Sequence, residues 1–216
     1  MKESPNPNEQ LEIVIKNSDL PSLAKDYAEL AVDGIMDDGI LKDIPLIGTV
    51  IGLMKFGNSV DKHLSIKKLY KFLNQLNSIP PELRAKKIDE INSSNKYQSN
   101  VGEMIFEILE KIESDGKPEI IGKLFKAVIE EKIDFLTYLR LAHIVKNLFY
   151  YDIVWLNENT TDGVLEDATP DPILISGLVT VNFVDSYEGV KNDIIGQKSQ
   201  AKLTELGLLL INIGMK

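Results

Sequence analysis

Along most of the chain, apolar residues recur at intervals of three and four, the spacing that gathers them on one face of an α-helix. The stripe is clearest from Val101, through Met104, Ile105, Ile108, Leu109 and Ile112. A second follows Pro118, with Ile120, Ile121, Leu124, Phe125, Val128 and Ile129. Earlier, Ile66, Leu69, Phe72, Leu73 and Leu76 share a face while Lys67, Lys68 and Lys71 lie opposite, and Pro80-Pro81 ends that helix. A short basic helix, 81–91, and a polar turn, 92–100, come next. Asp134 is placed to cap a helix from Phe135 to about Asn157. Its apolar residues occupy more than one face, so it is expected at the centre of a bundle. Near the N-terminus, Pro21 to Met36 is predicted as a further helix behind Ser18 and Asp19.

The character of the chain changes after Asn157. Residues 158–172 hold Thr, Asp, Gly and two prolines and read as a linker or loop. Ile173 to Val184 is rich in Ile, Val and Phe and is predicted as β-structure, with 199–204 as its partner strand across a polar connection. Thr204 then caps a closing helix, 205–213. The expected architecture is mainly α: a flexible tail over 1–18, a helical bundle over 19–157, and a small C-terminal α+β module over 173–216. The helix, strand, loop, strand, helix order of that module is winged-helix-like.

Composition narrows the chemistry. A chain of 216 residues, 44% hydrophobic, can bury a core and reads as globular. It has no cysteine, which removes disulfides, thiolate nucleophiles and cysteine-ligated zinc. The two histidines, His63 and His143, fall on different predicted helices; the first reads as a solvated polar-face residue and the second as a core-edge histidine. No zinc or calcium signature is present. Gly48, Gly52 and Gly57 lack the Lys-Ser or Lys-Thr that closes a phosphate-binding loop, and Ser176-Gly177 lacks the flanking glycines of a nucleophile elbow. Asp33, Asp37, Asp38 and Asp43 cluster around a turn and read as caps and solvated charges. No catalytic residue, metal ligand, cofactor or small-molecule substrate is therefore predicted. The first ten residues resemble neither a secretory signal nor a lipidation motif.

Charge is distributed unevenly. Between Lys55 and Lys87, eight cations stand against Asp61 and Glu82, a local net of +6 in a chain whose total is −9, which leaves −15 elsewhere. Immediately before this stretch, Ile44 to Met54 runs for eleven residues without a charge. Spanning a bilayer takes roughly 20 apolar residues, so the run is too short to cross one and is expected as a core helix or an interfacial segment. Gly48 and Gly52, four apart, would let another helix approach closely. The predicted docking residues are Ile47, Gly48, Ile51, Gly52, Leu53 and Phe56 with Lys62, Lys67, Lys68 and Lys71. The expectation is a non-catalytic interaction protein, cytoplasmic or peripheral at the inner face of a membrane. It would engage a protein partner, a second copy of itself or an anionic membrane surface. The alternative is a soluble nucleic-acid-binding regulator using the 62–87 basic face or the C-terminal module. That reading is disfavoured by the acidic residues Glu166, Asp167, Asp171, Asp185, Glu188 and Asp193 around the module.

The phrase from Gly39 to Leu53, GILKDIPLIGTVIGL, its Lys-rich continuation, the run Ile121 to Ala127 and the closing Leu203-Thr-Glu-Leu-Gly together resemble small uncharacterised bacterial proteins. Some of these belong with abortive-infection or phage-defence cassettes. The resemblance covers most of the chain from Leu20 onward and implies a bacterial, non-enzymatic effector. None of its phrases is a catalytic or ligand-binding motif, so it assigns no site residue.

Overall fold

The computed structural model describes residues 7–17, 19–20, 59–97, 100–113, 116–165, 169–184 and 198–216. They are mainly helical with a small antiparallel sheet near the C-terminus. The chain divides into two compact units, Met1–Ala142 and His143–Lys216.

In the first unit, helix α1 (Pro7–Asn17) replaces the expected flexible tail. Its Leu11, Val14 and Ile15 are buried at helical spacing, and the helix packs on α3 (Pro81–Asn92) and α4 (Val101–Lys111). The Pro, Asn and Glu content of the first ten residues suggested a coil. Pro7, however, suits a first turn, and the three apolar residues behind it supply the stripe. Polar side chains fix the docking: the Asn92 side-chain amide donates to the Glu12 carboxylate at 3.0 Å, and Lys16 Nζ reaches both Glu12 and Asp89 at 2.6 Å.

Helix α2 (Ser59–Asn74) buries Ile66, Leu69, Phe72 and Leu73, with Leu76 just beyond its end, against α5 (Lys117–Ile129). Gly122 sits where the two helices are closest: a Cβ there would meet the Phe72 carbonyl oxygen at 2.7 Å. The core continues as a chain of rings. Phe72 lies 5.9 Å from Phe125, Phe125 lies 5.4 Å from Tyr138, and Tyr138 stacks on Phe135 at 5.5 Å. Local sequence sets the helix ends as expected. The Asn100 side chain accepts from Glu103 N–H at 2.7 Å to cap α4, and Asp134 accepts from Thr137 N–H at 2.6 Å to cap α6 (Phe135–Asn147). Helix α5 closes in a Schellman turn, with Lys132 N–H on Ala127 C=O at 2.8 Å and Glu131 N–H on Val128 C=O at 3.1 Å. Glu131 takes the left-handed position of that turn, at φ 59°, where glycine is usual.

The single helix expected from Phe135 to Asn157 is two. It breaks at Leu148-Phe149, and α7 (Tyr150–Glu158) starts anew behind an extended Phe149. A straight helix with apolar residues on several faces cannot turn all of them inward; the break lets Leu148, Ile153 and Leu156 all be buried. The boundary between units also lies within α6, not in the expected 158–172 linker.

Part of that linker is structured. Strands β1 (Thr160–Thr161) and β2 (Val164–Leu165) form a hairpin, with Asp162 at φ 52° and Gly163 at φ 78°. Positive φ at both central residues is the Asp-Gly hairpin geometry. A short helix α8 (Asp171–Ile175) precedes β3 (Val179–Val184), which pairs antiparallel with β4 (Lys198–Leu203) from Val179 opposite Leu203 to Val184 opposite Lys198. The sheet order is β1-β2-β4-β3. Thr204 caps α9 (Glu205–Leu209), accepting from Gly207 N–H at 3.2 Å, and the helix widens into a π-turn over Leu210–Gly214. The tip of the expected wing, 185–197, lies outside the described residues.

Candidate functional site

Of the predicted docking residues, Ile47, Gly48, Ile51, Gly52, Leu53 and Phe56 lie outside the described residues, as does the side chain of Lys62 on α2. Lys67, Lys68 and Lys71 do lie on the face of α2 opposite its buried stripe, but all three are half-buried and do not stand out in solvent. Burial pulls the Lys68 ammonium below the usual lysine range, with Glu110 and Glu113 acting in the opposite direction. Lys67 and Lys71 both have partners.

Arg84 and Lys87, further along the basic stretch, are committed to the protein itself. Arg84 is only 1% exposed, and burial lowers its pKa despite the opposing charges of Glu82 and Asp19. Lys87 Nζ bridges Glu131 at 2.9 Å and Glu90 at 3.1 Å. Part of the local +6 of the sequence is thus offset by burial and by Glu110, Glu113 and Glu131, carboxylates that the fold brings across from elsewhere in the chain. Those carboxylates are distant in sequence, so linear counting could not anticipate them.

Between α3 and the end of α5 lies a shallow groove of about 250 Å³, lined by Leu83, Lys86, Lys87, Glu90, Ile129 and the adjoining glutamates Glu130 and Glu131. Of its charged groups, Lys87, Glu90, Glu130 and Glu131 are held in ion pairs. Lys87 bridges the two walls, and Glu130 holds Lys132 at 2.6 Å. A substrate would have to displace these pairs. His143, expected at a core edge, is exposed, and its ring nitrogen shares a 3.0 Å hydrogen bond with the Asn147 side chain one turn on. Among the described residues no group of three or more His, Asp or Glu is placed to hold a metal ion, and no helix is long and apolar enough to cross a membrane.

The feature that the sequence did not flag is the helix break at Phe149. Phe149 is 64% exposed and Tyr151 66% exposed, and Tyr150 is half-exposed beside them. The Phe149 and Tyr151 rings lie 5.4 Å apart and those of Tyr150 and Tyr151 5.5 Å apart, so three aromatic rings form one solvent-facing cluster. Phe149 is also the N-cap of α7, with no side-chain cap bond, where Ser, Thr, Asp or Asn would satisfy an open N–H. The legible signal was the triplet itself. Three consecutive residues on a helix spread over about 200°, so all three could not have faced one core.

Comparison of the chain with protein-family models, with curated proteins and with solved structures finds no match. Function therefore has to be argued from these surfaces.

Proposed function

We propose that this chain is a non-catalytic interaction protein that docks on another protein, and that the Phe149-Tyr150-Tyr151 cluster is its contact surface. The observation that carries this reading is the cluster's exposure: two large rings two-thirds in water, held together by ring contacts, at a position where a polar cap would suit the fold better. Aromatic residues are enriched among interface hot spots because they bury large area at small entropic cost. The resemblance of several phrases to small proteins of bacterial defence cassettes fits an effector role of this kind.

The test is affinity purification of the full chain from its host beside a Phe149→Ser/Tyr151→Ser variant. A protein that is retained by the parent and lost by the equally folded variant supports the reading. The same set of proteins on both overturns it.

A second reading, docking on an anionic membrane through Ile47 to Lys71, is favoured by the row of Lys67, Lys68, Tyr70 and Lys71 along α2, separated by twelve residues from the uncharged run. Flotation with liposomes that contain or lack anionic lipid tests it. Failure to float with either removes the membrane reading.

A further inference from the structure

We infer that the partner surface recognised by the Phe149-Tyr150-Tyr151 cluster is cationic: an arginine- or lysine-bearing segment of another protein, held by cation–π contacts and unneutralised carboxylates. This rests on the docking reading above and adds the chemistry of the partner. Two independent observations carry it.

The first is the charge of the second unit. The second unit, His143–Lys216, carries ten carboxylates against five lysines, a net of −5. Among its described residues, Asp152, Glu158, Asp162, Asp171 and Glu205 form no ion pair. Asp152 is the nearest of these to the cluster, following Tyr151 directly and standing one helical turn from Phe149. A surface of this kind repels phosphate and anionic lipid and attracts cations.

The second is the cluster's own chemistry. The faces of aromatic rings are electron-rich, and a guanidinium or ammonium over an exposed Phe or Tyr face gains from that field. Two exposed rings beside an unpaired carboxylate complement an arginine side chain in shape and in charge. Local stability is also sacrificed here. A phenylalanine at an N-cap forgoes a bond that serine or aspartate would make, and residues that break a local folding rule without a structural return mark functional positions.

The full-length protein is titrated with a fluorescein-labelled oligo-arginine peptide, its oligo-citrulline counterpart, which has the same shape without charge, and an oligo-glutamate peptide, read by fluorescence anisotropy. Oligo-arginine is expected to bind and the other two to bind at least roughly tenfold more weakly. Phe149→Ser/Tyr151→Ser leaves the net charge unchanged, and Ser restores the cap. It is expected to weaken oligo-arginine binding roughly tenfold, the equivalent of losing two cation–ring contacts. Asp152→Asn gives a smaller loss and a shallower salt dependence.

Equal oligo-arginine binding by parent and double variant overturns the proposal, because the attraction is then diffuse. Equal binding of citrulline and arginine peptides through the rings also overturns it, while leaving a docking role for an uncharged partner. Binding of none of the peptides overturns it too. Only if the host purification also shows no difference between parent and variant does the docking reading fall with it.

Discussion

The Tyr138 hydroxyl lies in the interior of the first unit with no hydrogen-bond partner among the described residues, on a residue 0% exposed. Replacing Tyr138 with Phe removes that one oxygen and keeps the ring that packs on Phe125 at 5.4 Å and Phe135 at 5.5 Å. An unmade buried hydrogen bond costs about 1–3 kcal/mol. The void left by one oxygen costs about 0.3 kcal/mol at the rate found for core cavities. Tyr138→Phe is therefore expected to stabilise the protein by about 1 kcal/mol, or by about 2–4 °C in melting temperature for a chain of this size. Urea titration followed by circular dichroism should show a higher midpoint with an unchanged slope.

The same hydroxyl sets a pH signature. Burial pushes the Tyr138 pKa far above its ordinary value near 10. Below that ordinary value both folded and unfolded chains keep the proton, and stability does not depend on it. As pH rises above about 10, the unfolded chain releases a proton that the native state retains, so stability falls. Tyr138→Phe should remove this residue's share of the alkaline loss, visible as a flatter stability curve there. A Tyr138→Phe variant destabilised by about 1 kcal/mol or more would refute the reasoning, since it would mean that the hydroxyl is bonded.

Two further outcomes are expected. Gly207→Ala places a Cβ hard against the Leu178 carbonyl oxygen, which already accepts Thr204 N–H at 2.9 Å, and 3.0 Å from a Leu203 methyl. Although alanine is the better helix former by about 1 kcal/mol, the clash should win and leave the C-terminal unit about 2 kcal/mol less stable, measured by amide hydrogen exchange of β3 and β4; slower exchange would sink the argument. Asp134→Ala removes the α6 cap and should cost about 1 kcal/mol at neutral pH. Because the Thr137 N–H holds the Asp134 carboxyl below its ordinary pKa, that contribution is present above the unfolded value near 3.9 and is lost as pH falls. Parent and variant should thus converge in acid; a gap independent of pH would assign the loss to something other than the charged cap.

Local pattern alone determined a good deal of this protein. The stripes at Ile66 to Leu76, Val101 to Ile112 and Ile120 to Ile129, the caps at Asp134 and Thr204, and the β3–β4 pair follow from periodicities and cap chemistry that act over one or two turns of chain. The Asp162-Gly163 hairpin was equally legible in its residues, though its short strands were read as a linker.

Tertiary structure decided what depends on distant partners. The N-terminal segment became a helix because α3 and α4 offer it a surface, with Asn92 and Asp89 in place for Glu12 and Lys16. Arg84 went inside, and Lys87 was tied to Glu131, 44 residues away, so a count of charge along the sequence overstates what these two residues present at the surface. The break at Phe149 arose because one straight helix could not bury apolar residues on several faces. That break left Phe149 and Tyr151 in water, with Tyr150 half-exposed, beside the unpaired Asp152. Spacing records which residues share a face, whereas only packing settles whether that face finds a neighbour.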